Sequence, residues 1–435
     1  MVLLRRADGA TLKVLLLATT TGYQIRSFGE AARKVGVELV FASDRCDRLE
    51  DPWWDQAIPI RFHDEERSVA AIVSAFPDAP PDGILAVGDR PTIVAAHAAA
   101  AFGLPGHSPE AAAASRYKLA TRRAFEAAGL PTPWFQPVPV DRDAYELARH
   151  VTYPAVIKPL ALSGSRGVMR VDDAAGFVAA FDRLRRLLDA RDVQVERDTA
   201  HQVAMIESFI PGAEFAVEGL LDHGEFRLLA IFDKPDPLDG PFFEETIYLT
   251  PSRASQETQQ RIVEAVRAAI AALGLHHGPV HAECRVDMSG RAGPSAPPVY
   301  VLEVAARPIG GLCSKVLRFT DALVSLEELL LRHAVGEDVS RFERERQASG
   351  VMMIPIPKRG IYRGVDGMGE ACAVPGVAEI QITAKPDTML VPLPEGRSYL
   401  GFVFARGVDA DAVDRALRDA HARLQFAIDR EVAVI

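Results

Sequence analysis

Apolar positions along the chain follow two alternating rhythms, and their order predicts the architecture of the first hundred residues. Short apolar runs at 12–18 (LKVLLLA), 37–43 (VELVFAS), 57–62 (AIPIRF) and 83–89 (GILAVGD) predict strands. The stretches 24–35, 66–75 and 91–102 carry helical spacing, and Gly36 closes the first of them. Strands alternating with helices predict an open, doubly wound parallel sheet, which takes ligands at the carboxyl ends of its strands. The text after the first strand, TTTGYQIRSFG, is no G-x-G-x-x-G fingerprint, so this region is not read as a dinucleotide site.

From Ser108 the pattern changes. SPEAAAASRYKLATRRAFEAAGLPTP predicts a helix started by Ser108-Pro109-Glu110 and closed by Gly129 and Pro131, with Lys118 inside it. A lysine on a helix is by itself most often a solvated charge. In YPAVIKPLALSGSRGVMRV, Val156 and Ile157 form a strand and Pro159 holds Lys158 extended. The small-residue loop Ser163-Gly164-Ser165-Arg166-Gly167 then leads into another strand. Glycines let successive N–H groups close on an anion, so a lysine beside such a loop suits a polyphosphate; the plain alternative is a hairpin turn. It is not a Walker A loop, because no Gly-Lys-Ser/Thr opens a helix.

MIESFIPGAEFAVEGLLDHGEFRLLAIFDK predicts three successive strands, turning at Pro211-Gly212 and at Asp222-His223-Gly224. Glu207 and Glu214 flank the first turn. A carboxylate there can accept from an adenine amino group or ribose hydroxyls, with backbone at Phe209 and Ile210 pairing the ring; the alternative is ordinary surface glutamate. After the Pro/Gly-rich crossover 235–241 and FFEETIYLTPSR, a helix is capped by Ser255, buries Ile262, Val263, Val266, Ile270 and Leu273, and stops at Gly274.

The segment 278–311 is the most informative. Val280, Ala282, Cys284 and Val286 alternate with His281, Glu283, Arg285 and Asp287, the period of a strand. A loop from Ser289 to Pro298 follows, then the apolar run VYVLEVAA, where Glu303 is the one acid and Arg307 lies four positions on. A carboxylate in such a run is costly without a charged partner, a metal or a ligand. If the strands pair, Glu283 and Glu303 offer two oxygen donors to one space, as Mg²⁺ wants. The competing reading is a salt-bridged Glu303–Arg307 face with no metal. His276, His277 and His281 are close in sequence but lack zinc-ligand spacing. Beyond Arg307 the pattern predicts a helix at 322–335 and a charged linker at 336–347. Short strands follow (VMMIPIP, AEIQIT, LGFVFA), and a last helix at 409–430 carries Val413, Leu417, Leu424 and Ile428.

Composition narrows the class. With 435 residues the chain is too long for one ordinary core, and 48% hydrophobic with 25% charged residues is that of a soluble globular protein. A net charge of -10 leaves no footprint for nucleic acid or an anionic membrane. Cys46, Cys284, Cys313 and Cys372 are scattered, as expected of reduced cytosolic thiols. No run approaches the roughly 20 apolar residues of a membrane span, and KVLLLATT is expected to be a first strand rather than a signal peptide. The expected localisation is cytoplasmic.

Taken in order, Lys118 in RYKLATRRAF, AVIKP with LSGSRGV, IESFIPGAEFAVEG, GPVHAEC and LEVAARPIGG resemble the ATP-grasp superfamily of carboxylate–amine ligases. The resemblance implies an ATP-grasp fold of α/β and α+β parts. Its N-terminal doubly wound parallel-sheet domain, of the biotin-carboxylase-N-like kind, would span 1–107. An ATP-grasp domain of two α+β subdomains would span 108–335, and a small C-terminal α+β region 336–435. It implies that Lys118 and Lys158 hold ATP phosphates under a loop including Ser163, Gly164 and Ser165. Glu207, Phe209 and Ile210 would meet adenine, and Glu214 ribose. Glu283 and Glu303 would ligate Mg²⁺, or Mn²⁺ in its place, and Arg307 would steady the transferring phosphoryl group or the bound carboxylate. The usual E-x-N-x-R ending is here Glu303-Val304-Ala305-Ala306-Arg307, which puts a complete second metal site in doubt. This ending, the G-P-x-H-x-E strand and the C-terminal region resemble bacilysin-type L-amino-acid ligases and relatives such as dapdiamide synthase.

The resemblance implies ATP-dependent joining of a small-molecule carboxylate to an amine through an acyl phosphate, with a homodimer as an admitted assembly. Two alternatives stand beside it. One is a ligase of another small-metabolite pathway, of the purine type; the other is a nucleotide-binding protein without ligase activity. A nicotinamide-dependent oxidoreductase is disfavoured by the missing glycine fingerprint.

Overall fold

The computed structural model describes residues 4–6, 9–20, 24–44, 57–287, 298–320 and 323–430. In the N-terminal part, the strands Lys13–Ala18, Glu38–Ser43, Ile58–Pro59 and Gly83–Val87 form one sheet in which each neighbour is parallel. Lys13–Ala18 is buried on both faces, which explains its unbroken apolar run. Val14 and Leu16 pack towards Phe28 and Val35 of the helix Ile25–Val35. Leu15 and Leu17 pack towards Ile72 and Val94 of the helices Glu65–Ser74 and Thr92–Phe102. The sheet is therefore doubly wound.

Two further sheets face each other across a cleft. The smaller runs, in spatial order, Phe135–Pro139, Val203–Ser208, Ala155–Pro159 and Met169–Val171, all antiparallel and backed by the helix Ala174–Leu188. The larger has eight strands. Val299–Ala305, Gly278–Val286, Ala213–Asp222, Glu225–Lys234 and Ile247–Thr250 come first, and Ala348–Ile354, Gly401–Gly407 and Val377–Ile382 continue it from the C-terminal region. The boundary drawn at 335 thus falls inside a single sheet, whose strands Ile247–Thr250 and Ala348–Ile354 pair antiparallel. Helix Gln256–Leu273 covers one face of this sheet. Ser255 Oγ accepts from Thr258 N–H, Gly274 closes it at φ 73°, and Ile262, Val266, Ile270 and Leu273 are buried. Each such side chain is worth about 1.5–3 kcal/mol when fully buried.

Several sequence expectations are corrected. The stretch after Ser108 is two helices, Pro109–Arg116 and Lys118–Ala127, because Tyr117 turns extended (φ -92°, ψ 113°) and Lys118 N–H reaches Leu160 O at 3.2 Å. Lys118 therefore opens a helix rather than sitting within one. Pro211-Gly212 is no hairpin turn, since Val203–Ser208 and Ala213–Asp222 belong to different sheets. The last helix is Ala410–His421; the chain then forms the strand Gln425–Asp429, paired with Gly360–Asp366. The charged segment 336–347 is packed, not a free linker. Val339 and Phe342 are buried, and their carbonyls accept from the Arg227 guanidinium. The loop expected from Ser289 lies outside the described residues up to 297.

Candidate active site

All twelve residues singled out from the sequence line one cleft of about 610 Å³. The N-terminal sheet meets it with the carboxyl ends of its strands, through Thr19, Asp44, Gly88 and Asp89. The smaller sheet contributes Lys158 and Glu207, and the larger contributes Glu214, Glu283 and Glu303.

On the smaller sheet, Lys158 and Glu207 are close neighbours, because Lys158 pairs with Met205 and Val156 with Glu207. The Lys158 ammonium donates to Glu207 Oε1, and Arg122 Nε donates to Glu207 Oε2 at 3.0 Å. Burial alone would raise the Glu207 carboxyl, but Arg122 and Lys158 overcome it and hold it at about 2. Burial pulls Lys158 the other way, down to about 8, against the attraction of Glu207. Glu207, expected to meet an adenine amino group, is thus committed to two cations. Lys118 Nζ donates to Leu162 O at 2.6 Å and ties its helix to the loop. The loop joins two paired strands, so it is also a hairpin connection. Gly164 (φ 63°), Ser165 (φ 55°) and Gly167 (φ 75°) are left-handed, and only glycine adopts that region without strain. Gly167 N–H donates to Pro394 O at 2.8 Å and Arg166 Nε to Glu395 O at 2.8 Å, which fastens the loop to the C-terminal region.

At the crossing between sheets, Phe209 N–H donates to Pro154 O (3.1 Å) and Ile210 O accepts from Arg285 (2.7 Å). Glu214 accepts from Arg285 Nε and from Lys234 Nζ, each at 2.8 Å. Lys234 also stands 2.5 Å from Glu245 and 3.1 Å from Glu283. Burial opposes its charge, yet these three acids hold the Lys234 ammonium well above its ordinary range.

The strands Gly278–Val286 and Val299–Ala305 pair antiparallel, with Glu283 directly opposite Glu303. Cys284 and Val286 point into the core under helix Gln256–Leu273, while His281, Glu283 and Arg285 face the cleft. The ion pair that would have explained Glu303 without a metal is not formed. Arg307 instead grips Asp89 of the N-terminal domain, Nε to Oδ1 at 2.8 Å and Nη2 to Oδ2 at 3.2 Å. Burial would raise the Asp89 carboxyl, but Arg307 holds it below the ordinary value. Glu303 is half-buried, stands opposite Glu283 and has no ion pair among the described residues, while Glu214, Glu245 and Glu283 converge on the Lys234 ammonium. The facing Glu283 and Glu303 are hard oxygen donors that fit Mg²⁺. Ala305, opposite His281, adds none. His281 lies 3.1 Å from Glu218 and 3.6 Å from Glu283; burial opposes its charge, and the two acids push it up to about 9. Burial raises the Cys284 and Cys313 thiols far above their usual range, so neither offers a thiolate.

Sequence reasoning passed over Asp89, Arg122, Lys234 and Glu245, and left Glu218 and Arg285 on their strand faces without a role. The one available signal was a lysine ending an apolar strand at Lys234, which reads equally as a solvated end.

Three protein families match the chain: "ATP-grasp N-terminal domain" over residues 29–106, "ATP-grasp domain" over 151–316 and "L-amino acid ligase C-terminal domain 2" over 352–429. An uncharacterized protein, y4rH, of Sinorhizobium fredii is 26% identical over 327 residues, 75% of this chain and 64% of that protein. The alanine–anticapsin ligase of Bacillus subtilis is 28% identical over 222 residues, 48% of this chain and 44% of the ligase. The chain thus spans less than two thirds of the length of these curated relatives. The crystal structure of the L-amino acid ligase from Bacillus licheniformis superposes with a TM-score of 0.79 at 26% identity, covering 97% of this chain and 99% of that one. The carboxyaminoimidazole ribonucleotide synthase of Aspergillus clavatus, solved with ATP, shares the fold at 17% identity, a TM-score of 0.69 and 95% coverage of this chain. No helix among the described residues is long and apolar enough to cross a membrane.

Proposed function

Since the chain belongs to the ATP-grasp superfamily, we propose that it joins a carboxylate, an amino acid by preference, to an amine at the expense of ATP. The observation that carries this reading is the placement of Glu283 opposite Glu303 in a cleft whose other wall presents Lys118, Lys158 and the Ser163–Gly167 loop. A pair of carboxylates facing a pair of ammonium groups suits a metal-bound polyphosphate.

In this reading Lys118, Lys158 and the loop N–H groups bind the phosphates, and Glu207 acts mainly by fixing Lys158. The adenine edge falls to Phe209 C=O and Ile210 N–H, which make no backbone hydrogen bond among the described residues and offer one acceptor and one donor. Glu214 faces the ribose. Mg²⁺, or Mn²⁺, would be held by Glu283 and Glu303, and would neutralise charge between the phosphates. The substrate carboxylate oxygen attacks the γ-phosphorus, and the bond to the bridging oxygen breaks with release of ADP. The amine nitrogen then attacks the acyl carbon, phosphate leaves, and the nitrogen gives up a proton. Arg307 presents a planar fork suited to carboxylate or phosphoryl oxygens and is steadied by Asp89. Closure of the smaller sheet over the cleft keeps water from the acyl phosphate. We assign this work to the cytoplasm and a homodimer as the assembly; light scattering on the purified protein tests the second point.

The decisive experiment is a phosphate-release screen of amino-acid pairs with ATP and Mg²⁺, with products read by mass spectrometry. A pair giving ADP, phosphate and a condensed product supports the reading. Nucleotide binding without phosphate release across the panel would sink it. Glu303→Gln should lower Mg²⁺-dependent turnover by at least about 100-fold with the unfolding midpoint unchanged; full activity in that variant removes the metal assignment.

A further inference from the structure

The cleft uses one end of the hairpin Ala213–Lys234. At its other end the chain gathers histidines from three separate elements. Asp222 ends the strand Ala213–Asp222, His277 immediately precedes the strand Gly278–Val286, and His333 lies in the last turn of helix Leu326–Ala334. Gly278 pairs with Leu221, which brings His277 beside Asp222. These are not the sequence neighbours His276, His277 and His281, since His281 faces the cleft.

Asp222 Oδ1 is 3.4 Å from His277 Nδ1 and 3.6 Å from His333 Nε2. Two donors about 2.0–2.1 Å from one tetrahedral ion stand about 3.3 Å apart, so both spacings are close to those of co-ligands. His333 is 4% exposed, and its Nε2 has no hydrogen-bond partner among the described residues. A buried imidazole nitrogen left without a partner is costly, and here it points at a carboxylate just beyond hydrogen-bond reach. His223 sits in the turn at φ 47°, with its Nε2 3.8 Å from the same Asp222 oxygen and its N–H donating to His277 Nδ1 over a long 3.4 Å. The rings of His277 and His333 lie 4.3 Å apart, and those of His223 and His277 4.9 Å apart. A helix C-terminus can hold a histidine by its dipole alone, but that does not explain an unpartnered Nε2 turned towards Asp222 and two further rings.

We propose that Asp222, His277 and His333, with the fourth position left to water, form a tetrahedral site for a borderline divalent transition-metal ion, Zn²⁺ in the first place, distinct from the nucleotide cleft. Imidazole donors select such ions over Mg²⁺ or Ca²⁺. The eight residue steps from Glu214 to Asp222 set the two sites roughly 26 Å apart along the strand. An ion here would clamp the hairpin, the strand Gly278–Val286 and the helix Leu326–Ala334 together, at the end of the sheet away from the reacting groups.

The test uses tag-free full-length protein stripped with a chelator. Titration with Zn²⁺ should give one tight equivalent per chain, and Co²⁺ should give the visible absorption of a tetrahedral complex. Asp222→Asn, at an exposed side chain, and His277→Ala should each weaken Zn²⁺ binding by at least about 100-fold, while Glu283→Gln leaves it unchanged. Absence of a tight equivalent, binding that survives both substitutions, or binding lost in Glu283→Gln alone would each overturn the proposal, the last by assigning the ion to the cleft.

Discussion

At one end of the hairpin Ala213–Lys234, Lys234 lies among Glu214, Glu245 and Glu283, with Arg285 on the far side of Glu214. At the other end, one carboxylate meets a group of imidazoles and no lysine or arginine pairs with it among the described residues. Both clusters are built on the same two strands, yet they meet the cost of desolvation differently. The first sets three acids against two cations, and burial together with the neighbouring Glu283 raises the Glu245 carboxyl. The second lets His277 and His333 lose their charge, chiefly through burial. Opposed charges hold a geometry firmly and depend on every member; neutral rings cost little to keep and are ready for a ligand that needs lone pairs.

That contrast can be broken experimentally, beginning where the effect is largest. Lys234→Met removes the one cation shared by three acids and should destabilise the protein by about 3–5 kcal/mol in denaturant unfolding; a loss under about 1 kcal/mol would show that the acids do not depend on it. Next is the pH dependence of nucleotide binding. With the Lys158 ammonium lowered to about 8, the free protein's affinity for ATP should fall as pH rises through that value. Proton linkage with a group at about 8 sets the expected loss between pH 7 and pH 9 at about tenfold, or about 1.4 kcal/mol, readable by calorimetry, and a flat profile would remove Lys158 from nucleotide binding. At the histidine end, Asp222→Asn in metal-free protein should move stability by no more than about 0.5 kcal/mol. A larger loss would mean that Asp222 serves as a structural ion pair. The smallest expected effect is a gain. His223 and Gly224 both have positive φ, as in a type I′ turn that favours Asn-Gly, so His223→Asn should stabilise metal-free protein by a few tenths of a kcal/mol.

The sequence made some of this legible and hid the rest for physical reasons. Period-2 alternation around Glu283 announces which side of the strand meets the cleft, and a lone Glu303 in an apolar run announces a need for a partner. Their direct opposition follows once the strands pair. Ion pairs between distant positions leave no local trace: Arg122 meets Glu207 across 85 residues and Arg307 meets Asp89 across 218. The single long helix after Ser108 failed because neither Gly nor Pro marks the break at Tyr117, which a contact to Leu160 imposes from outside. The overlong last helix failed because Leu424 and Ile428 keep a spacing of four, which suits either a helix or one side of a strand. The Glu207–Glu214 hairpin failed because a Pro-Gly pair looks the same in a tight turn and in a crossing between sheets.

The eight-stranded sheet limits what can be exchanged between relatives. Ile247–Thr250 is bonded on one side to Glu225–Lys234, which ends at the cleft lysine, and on the other to Ala348–Ile354 from the C-terminal region. A chimaera cut at 335 would therefore have to rebuild a ladder of main-chain hydrogen bonds in register with its host. It would also have to supply the carbonyls of Pro394 and Glu395 that grip the Ser163–Gly167 loop. Recombination at that point transplants half a β-sheet, and substrate preference in this architecture is better altered by point substitution than by swapping modules.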